Sequence, residues 1–188
     1  MESEELDRQQ PPEIEELAGQ GPVELARSWS NRVRRNHALE HATLRVLAET
    51  RGITALSGYS DLGGFWIMGE VATDQLREAA DVAMARLRDG EADLAIHPQC
   101  GTNYVVAGML AGTAAWLGLL GTGGNLGRRV KRWPRVVSLA TIALIVGRPL
   151  GPLAQKYVTT DARIGDLEVV EITRYQRDRS VVHRVHTR

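Results

Sequence analysis

The residues of this chain best suited to chemistry are His37, Glu40 and His41, in the sequence His37-Ala38-Leu39-Glu40-His41. On a helix, spacings of three and four residues place both imidazoles and the carboxylate on one face. Two neutral histidines can bind zinc while the intervening glutamate moves protons for a water molecule that the metal activates. The pattern therefore predicts a zinc site with Glu40 as its general base.

Two histidines leave zinc incompletely coordinated, and the only cysteine of the chain, Cys100, is the first candidate for a third ligand. Its thiolate is an ordinary zinc ligand, and it precedes an apolar segment whose predicted helix favours negative charge at its N-terminus. His97 is the alternative third or fourth ligand. Asp61, in a predicted turn, is a candidate acid or base facing the metal.

These residues are predicted to lie in a small α+β domain that spans residues 23–103. Apolar residues at helical spacing indicate helices, and β-branched and aromatic residues indicate strands. The predicted order is helix, strand, strand, helix, strand, at residues 30–50, 53–59, 64–71, 73–88 and 93–97. This order predicts a small antiparallel sheet with two helices, in which the zinc helix comes first and Cys100 follows the last strand.

Residues 104–155 are predicted to form a hydrophobic helical hairpin, because two apolar runs flank a basic loop at residues 121–135. The first run is near the lower length limit for crossing a bilayer, so we expect a transmembrane or re-entrant hairpin in contact with membrane lipid. A bacterial cytoplasmic membrane is the expected location. The alternative is a buried hairpin in a soluble homo-oligomer, and Gly108 and Gly112 form a GxxxG pair that permits close helix approach.

The two ends of the chain have different characters. Residues 1–22 are acidic and contain prolines, which is typical of a disordered tail. Residues 156–188 alternate over 167–175 and 180–187, which predicts a C-terminal β-hairpin that can join the sheet of the first domain. The 23 basic and 23 acidic residues give no net charge, so nucleic acid is not an expected partner.

Three segments of the chain resemble the S-ribosylhomocysteine lyase family, a zinc-dependent branch of the inverted-zincin group. They are His37–His41, then Gly64-Phe65-Trp66-Ile67-Met68 followed by Thr73-Asp74-Gln75, and Gln99-Cys100-Gly101-Thr102. The resemblance implies that His37, His41 and Cys100 bind zinc and that Glu40 lies near an open position. That family's catalytic cysteine is missing here, where the corresponding place is near Asp61. The whole layout also resembles an uncharacterised family of small bacterial membrane proteins.

The sequence thus predicts a membrane-anchored, metalloprotease-like zinc hydrolase that acts on a peptide or membrane-protein substrate at the membrane surface. One alternative is a non-catalytic zinc-binding membrane subunit, in which His97 closes the fourth coordination position. The other is a metal-dependent lyase or isomerase of a small polar substrate, in which Asp61 takes part.

Overall fold

The computed structural model describes residues 21–177 and 180–188. Most of the predicted acidic tail, residues 1–20, lies outside the described residues. The described chain opens with helix α1 (Pro22–Arg51), which carries the histidine motif. Pro22 occupies the first helical position, and Gly52 ends the helix in a left-handed conformation with φ of 67°. Both residues are typical of those positions, since proline needs no hydrogen bond there and glycine tolerates a positive φ.

A tight hairpin and a second helix follow α1. Strands β1 (Ser57–Asp61) and β2 (Gly64–Met68) pair antiparallel and are joined by Leu62 and Gly63 alone. The sequence predicts a turn at residues 60–63. In the structure the turn contains only Leu62 and Gly63, because Ser60 and Asp61 belong to β1. Helix α2 (Thr73–Arg88) has the bounds predicted from its apolar spacing.

The strand predicted for residues 93–97 is wrong. Residues Ala92–Ala95 form a 3₁₀ turn, in which neighbouring Leu94 and Ala95 are both buried. A strand would point these two adjacent side chains to opposite faces, whereas a turn lets both pack on α1. The carbonyl oxygen of Ala95 also accepts a hydrogen bond from His41, so it is used by the helix rather than by a strand ladder.

The remaining strands come from the C-terminus. Strands β3 (Val169–Arg177) and β4 (Ser180–Thr187) pair antiparallel, and β4 also pairs antiparallel with β2. The sheet order is β1-β2-β4-β3. The predicted α+β class with a small antiparallel sheet is confirmed.

The core lies between this sheet and helices α1 and α2. Its largest fully buried side chains include Phe65 and Ile67 from β2, Leu39 and Leu47 from α1, and Leu76 from α2. Leu39 is next to Glu40 in sequence, so the packing that buries one side of α1 also fixes which side of the helix presents the histidine motif.

Helices α3 (Gly101–Leu119) and α4 (Leu126–Gly147) form an antiparallel hairpin outside this core. A Cβ atom on Gly118 would lie 3.0 Å from Val136, which shows how closely the helices approach. The basic segment predicted as a loop is mostly the first part of α4, because the side chain of Asn125 caps the helix by accepting a hydrogen bond from the N–H of Arg128.

The outer surface of the hairpin is strongly apolar. Its exposed large side chains include Tyr104, Val105, Met109, Trp116, Leu117, Leu126, Val130, Trp133, Val137, Ile142, Ile145 and Val146. By length and composition, no single described helix meets the criterion for a membrane span. The pair Leu126–Gly147 and Leu150–Thr159, which is bent by 56°, meets it jointly. The transmembrane or re-entrant hairpin stays a prediction.

Short helix α5 (Leu150–Ala154) and a π-helical turn (Gln155–Thr159) lead from the hairpin back to the domain. Gly151 lies against Asn103 at the start of α3, where a Cβ atom would come within 2.4 Å of the Asn103 side chain. The exit of the hairpin is therefore packed against its entrance, close to Cys100.

Candidate metal centre

The structure brings His37, His41 and Cys100 together. Their ligand atoms all lie within 4.8 Å of one another. The Cys100 sulfur is 3.5 Å from Nε2 of His37, and the two imidazole ring centroids are 4.3 Å apart. Within residues 21–177 and 180–188, these three residues are the one group of histidines, cysteines and acids arranged to hold a metal ion.

Both imidazoles are oriented by backbone carbonyl groups. Nδ1 of His37 lies 2.9 Å from the carbonyl oxygen of Thr159, and Nδ1 of His41 lies 2.7 Å from that of Ala95. A carbonyl oxygen can only accept, so each Nδ1 carries the hydrogen and each Nε2 keeps its lone pair. Histidines that bind metals commonly donate the other ring N–H to such an acceptor.

The geometry and the donor set fit zinc. In a tetrahedral site with Zn–N near 2.0 Å and Zn–S near 2.3 Å, sulfur and nitrogen ligand atoms are about 3.5 Å apart. The sulfur of Cys100 and Nε2 of His37 have this separation. Two imidazoles and one thiolate are three protein ligands, the number found in catalytic zinc sites that keep a fourth position open.

Cys100 is the N-cap residue of α3, so it directly precedes the apolar helix that the sequence predicts. Burial opposes ionisation of the thiol, but its interactions with His41 and Thr102 outweigh that effect and lower the pKa of Cys100. A lowered thiol pKa favours the thiolate, which is the form that binds metals.

Glu40 lies on the same helix as the two histidines and is almost completely buried. Its Oε2 accepts a hydrogen bond of 2.5 Å from Oγ of Ser60. A Cβ atom on Gly58 would lie 2.3 Å from the Glu40 carboxylate, so the glycine makes room for that group. Burial raises the pKa of Glu40, against the opposing effects of the Ser60 hydrogen bond and the neighbouring His37. A raised carboxyl pKa suits a general base.

His97 lies beside the centre but outside the group of three. Its ring centroid is 5.6 Å from that of His41, and its Nδ1 accepts a hydrogen bond from the N–H of Gln99. Burial lowers the pKa of His97, and the neighbouring His41 and Arg45 act in the same direction. The structure therefore places His97 next to the three ligands without adding it to them.

Gln155 fixes the segment that leads to Cys100. Its side chain is fully buried, accepts a hydrogen bond from the His97 N–H, and donates to the His97 carbonyl oxygen and to Oδ1 of Asn103. The side-chain amide of Asn103 in turn donates to the carbonyl oxygen of Pro98. One π-helical turn thus contacts both sides of the centre, through Gln155 and through Thr159.

Asp61 has a different set of partners. Its carboxylate accepts hydrogen bonds from Arg184 at 2.7 and 2.9 Å and from the N–H of Gly63 at 2.8 Å. Burial opposes ionisation, but the bonds from Arg184 and Gly63 outweigh that effect and lower the pKa of Asp61. Neighbouring Ser60 faces Glu40, and side chains alternate along a strand, so Asp61 points to the other face of the sheet. Its predicted acid–base role gains no support from this position.

Sequence reasoning missed Ser60, Gln155 and Thr159. The sequence predicts a turn at Ser60, where its hydroxyl has no defined direction. Gln155 and Thr159 act across more than fifty residues of chain, and Thr159 acts through its backbone, which carries no residue-specific signal. The polar Gln155, directly after an apolar segment, was the one local hint.

Comparison with known proteins places this arrangement in a family. Residues 32–172 match the model of a domain of unknown function, DUF6391. An uncharacterised protein of Picosynechococcus sp. (strain PCC 7002) is 38% identical over 148 residues, which cover 68% of this chain and 65% of that protein's length. No solved structure matches the chain significantly. The matched segment covers most of the chain, including the candidate centre and the whole α3–α4 hairpin, so the chain belongs to the DUF6391 family.

Proposed function

We propose that the protein is a membrane-anchored zinc-dependent hydrolase that acts on a peptide bond. His37, His41 and Cys100 hold the zinc ion, and Glu40 is the general base. The observation that carries this proposal is the pair of carbonyl contacts at Nδ1 of the two histidines, which leaves both Nε2 atoms available as ligands in a group of three whose ligand atoms lie within 4.8 Å of one another. Such pre-orientation is costly to build and is typical of metal ligands.

Zinc bound by three protein ligands acidifies water and polarises a carbonyl group. Glu40 takes the proton from the attacking water and returns it to the leaving amine. Ser60 holds the Glu40 carboxylate by donating to one oxygen, which leaves the other oxygen to accept that proton. The burial that raises the pKa of Glu40 brings its basicity closer to the working pH.

The apolar outer surface of the hairpin supports the membrane anchor. Monomeric proteins in water rarely expose so many large apolar side chains together, so a lipid environment explains the surface of α3 and α4. Because Cys100 caps α3, the anchor begins one residue after a metal ligand. The centre therefore lies at the membrane surface, within reach of membrane-protein segments.

The alternatives have less support. A closed, purely structural site needs a fourth ligand, and His97 is engaged by the N–H of Gln99. A lyase or isomerase using Asp61 needs that carboxylate near the metal, but it is bound to Arg184. The hydrolase explains why a buried carboxylate, Glu40, accompanies the three ligands.

The test uses the full chain purified in detergent, with zinc content and cleavage of a quenched fluorescent peptide library as readouts. We expect about one zinc ion per chain, lost in Cys100→Ser. Glu40→Gln should keep the zinc but lower turnover by about 10²- to 10⁴-fold, the usual contribution of a general base. Glu49→Gln, an exposed site on the same helix, is the matched control.

Three results would contradict the proposal. The first is wild-type protein that binds no zinc under conditions where it remains folded. The second is zinc-loaded protein that cleaves no peptide of the library. The third is Glu40→Gln protein with the turnover of the Glu49→Gln control.

A further inference from the structure

A cavity of about 500 Å³ lies beside the candidate centre. It is bounded by the C-terminal part of α1, the segment that enters β1, and the segment before Cys100. Its walls include Leu44, Ala48, Ile53, Leu56, His97 and Pro98, and its other lining residues are polar or charged. Cavities of this size are typical of small-ligand sites, which range from roughly 300 to 1,000 Å³.

The cavity lies on the side of α1 that carries Glu40. Leu44 is four residues after Glu40, so it occupies the same helix face one turn further along. Leu56 leads directly into β1, whose Gly58 and Ser60 contact the Glu40 carboxylate. The opposite wall is His97, whose ring neighbours that of His41. The cavity is therefore separated from the candidate base by one helix turn, at Leu44, and from His41 by the ring of His97, whose centroid is 5.6 Å from that of His41.

The walls offer apolar contact rather than charge. The charged lining residue Arg45 is already engaged, since Nη1 donates to the Asp93 carbonyl oxygen at 2.8 Å and Nη2 lies 3.7 Å from the Glu49 carboxylate. The polar lining residues Thr54 and Gln99 are exposed at the rim. Such a surface gains free energy by removing an aliphatic or aromatic group from water.

We infer that this cavity binds an apolar side chain of the substrate, next to the peptide bond that is cleaved. The inference rests on the proposed hydrolase function and names a substrate class for it: peptides with a branched aliphatic or aromatic residue beside the scissile bond. Recognition of that residue positions the scissile carbonyl between Glu40 and the ligands.

The test compares two neutral metal-chelating probes, acetohydroxamate and 4-methylpentanohydroxamate, which differ only in the size of the apolar group. Both are titrated into the full chain in detergent after replacement of zinc by cobalt, and binding is followed by the visible absorption of Co²⁺. We expect the larger probe to bind about 10-fold or more tightly, as burial of a leucine-sized group implies.

Filling the cavity should remove this preference. In Ala48→Trp the two probes should bind within about 2-fold of each other, while acetohydroxamate affinity stays as in wild type. Thr54→Trp, at an exposed position on the rim of the cavity, serves the same purpose if Ala48→Trp does not fold. Val82→Trp, on the exposed face of α2, is the matched control and should keep the preference.

The outcomes separate the two proposals. Equal affinity of the probes in wild type, or a preference that survives filling of the cavity, overturns the side-chain site and leaves the metal centre standing. No spectral change with either probe, or no binding of Co²⁺, overturns the hydrolase proposal itself.

Discussion

The face of α1 that carries the histidine motif and the outer surface of the α3–α4 hairpin are built in opposite ways. On α1, His37, Glu40 and His41 each have a defined polar partner, and none of these contacts depends on hydrophobicity. On the hairpin, side chains such as Trp116 and Ile145 are mostly exposed, at 63% each. Directional contacts thus specify the centre, whereas composition alone specifies the hairpin surface, so substitutions should affect the two regions very differently.

The largest expected difference in stability is between substitution of a core side chain and substitution of an apolar side chain on the hairpin. Phe65→Ala should lower the free energy of unfolding by about 3–5 kcal/mol, because Phe65 is fully buried in the sheet. Trp116→Ala, at a side chain that is 63% exposed, should change it by less than about 0.5 kcal/mol in detergent. Chemical denaturation followed by circular dichroism measures both, and comparable losses would show that the hairpin packs as a second core.

The next contrast concerns the link between the two regions. Gln155→Leu should destabilise the protein by about 2–4 kcal/mol, because it removes the hydrogen-bond partner of the His97 N–H and of Asn103 Oδ1, both in half-buried residues. It should also weaken zinc binding by about 10- to 100-fold, as loss of outer contacts usually does. Gln99→Leu, at an exposed glutamine nearby, is the control. Unchanged zinc affinity in Gln155→Leu would separate the hairpin exit from the centre.

The smallest effect lies on the far face of the sheet and depends on pH. The pKa of Asp61 is lowered in the folded state, so its contribution is present above the unfolded value of about 3.9 and is lost as the pH falls through the folded value. At pH 7, Asp61→Asn should therefore lower the free energy of unfolding by about 1 kcal/mol. At a pH below the folded pKa of Asp61, where its carboxyl group is protonated, the substitution should have no effect on the free energy of unfolding.

Denaturation curves of wild type and Asp61→Asn across the acid range check this expectation. Asp166→Asn is the control, since Asp166 is fully exposed and lies 3.7 Å from Arg35. A cost for Asp61→Asn that stays constant as the pH falls would contradict an ionic contact with Arg184.

The sequence predictions that agree best with the structure are those that rest on local patterns. The helix with His37 and His41, the bounds of α2 and the position of Cys100 just before an apolar helix all follow from spacing over fewer than twenty residues. The prediction of a strand at residues 93–97 is wrong because Leu94 and Ala95 both pack on α1, which is distant in sequence. Short apolar runs do not separate strands from turns without knowledge of such neighbours.

The contacts that orient the candidate ligands were beyond the reach of local patterns. The carbonyl groups of Ala95 and Thr159 face the histidines only after the chain has folded, and any residue type can supply a carbonyl. The hydroxyl of Ser60 reaches Glu40 because β1 continues through Asp61, two residues further than the turn signal predicts. Sequence patterns can thus locate the side chains of a site without identifying the groups that orient them.

The π-helical turn of Gln155–Thr159 limits how the apolar hairpin can be removed from this protein. Excising the apolar helices and joining residue 100 to residue 160 would discard the carbonyl that holds His37 and the amide that anchors the segment before Cys100. A shortened derivative must instead keep residues 155–160 in register with the entrance of the first apolar helix. Shortening α3 and α4 by matched numbers of residues from their far ends is the route that respects this requirement.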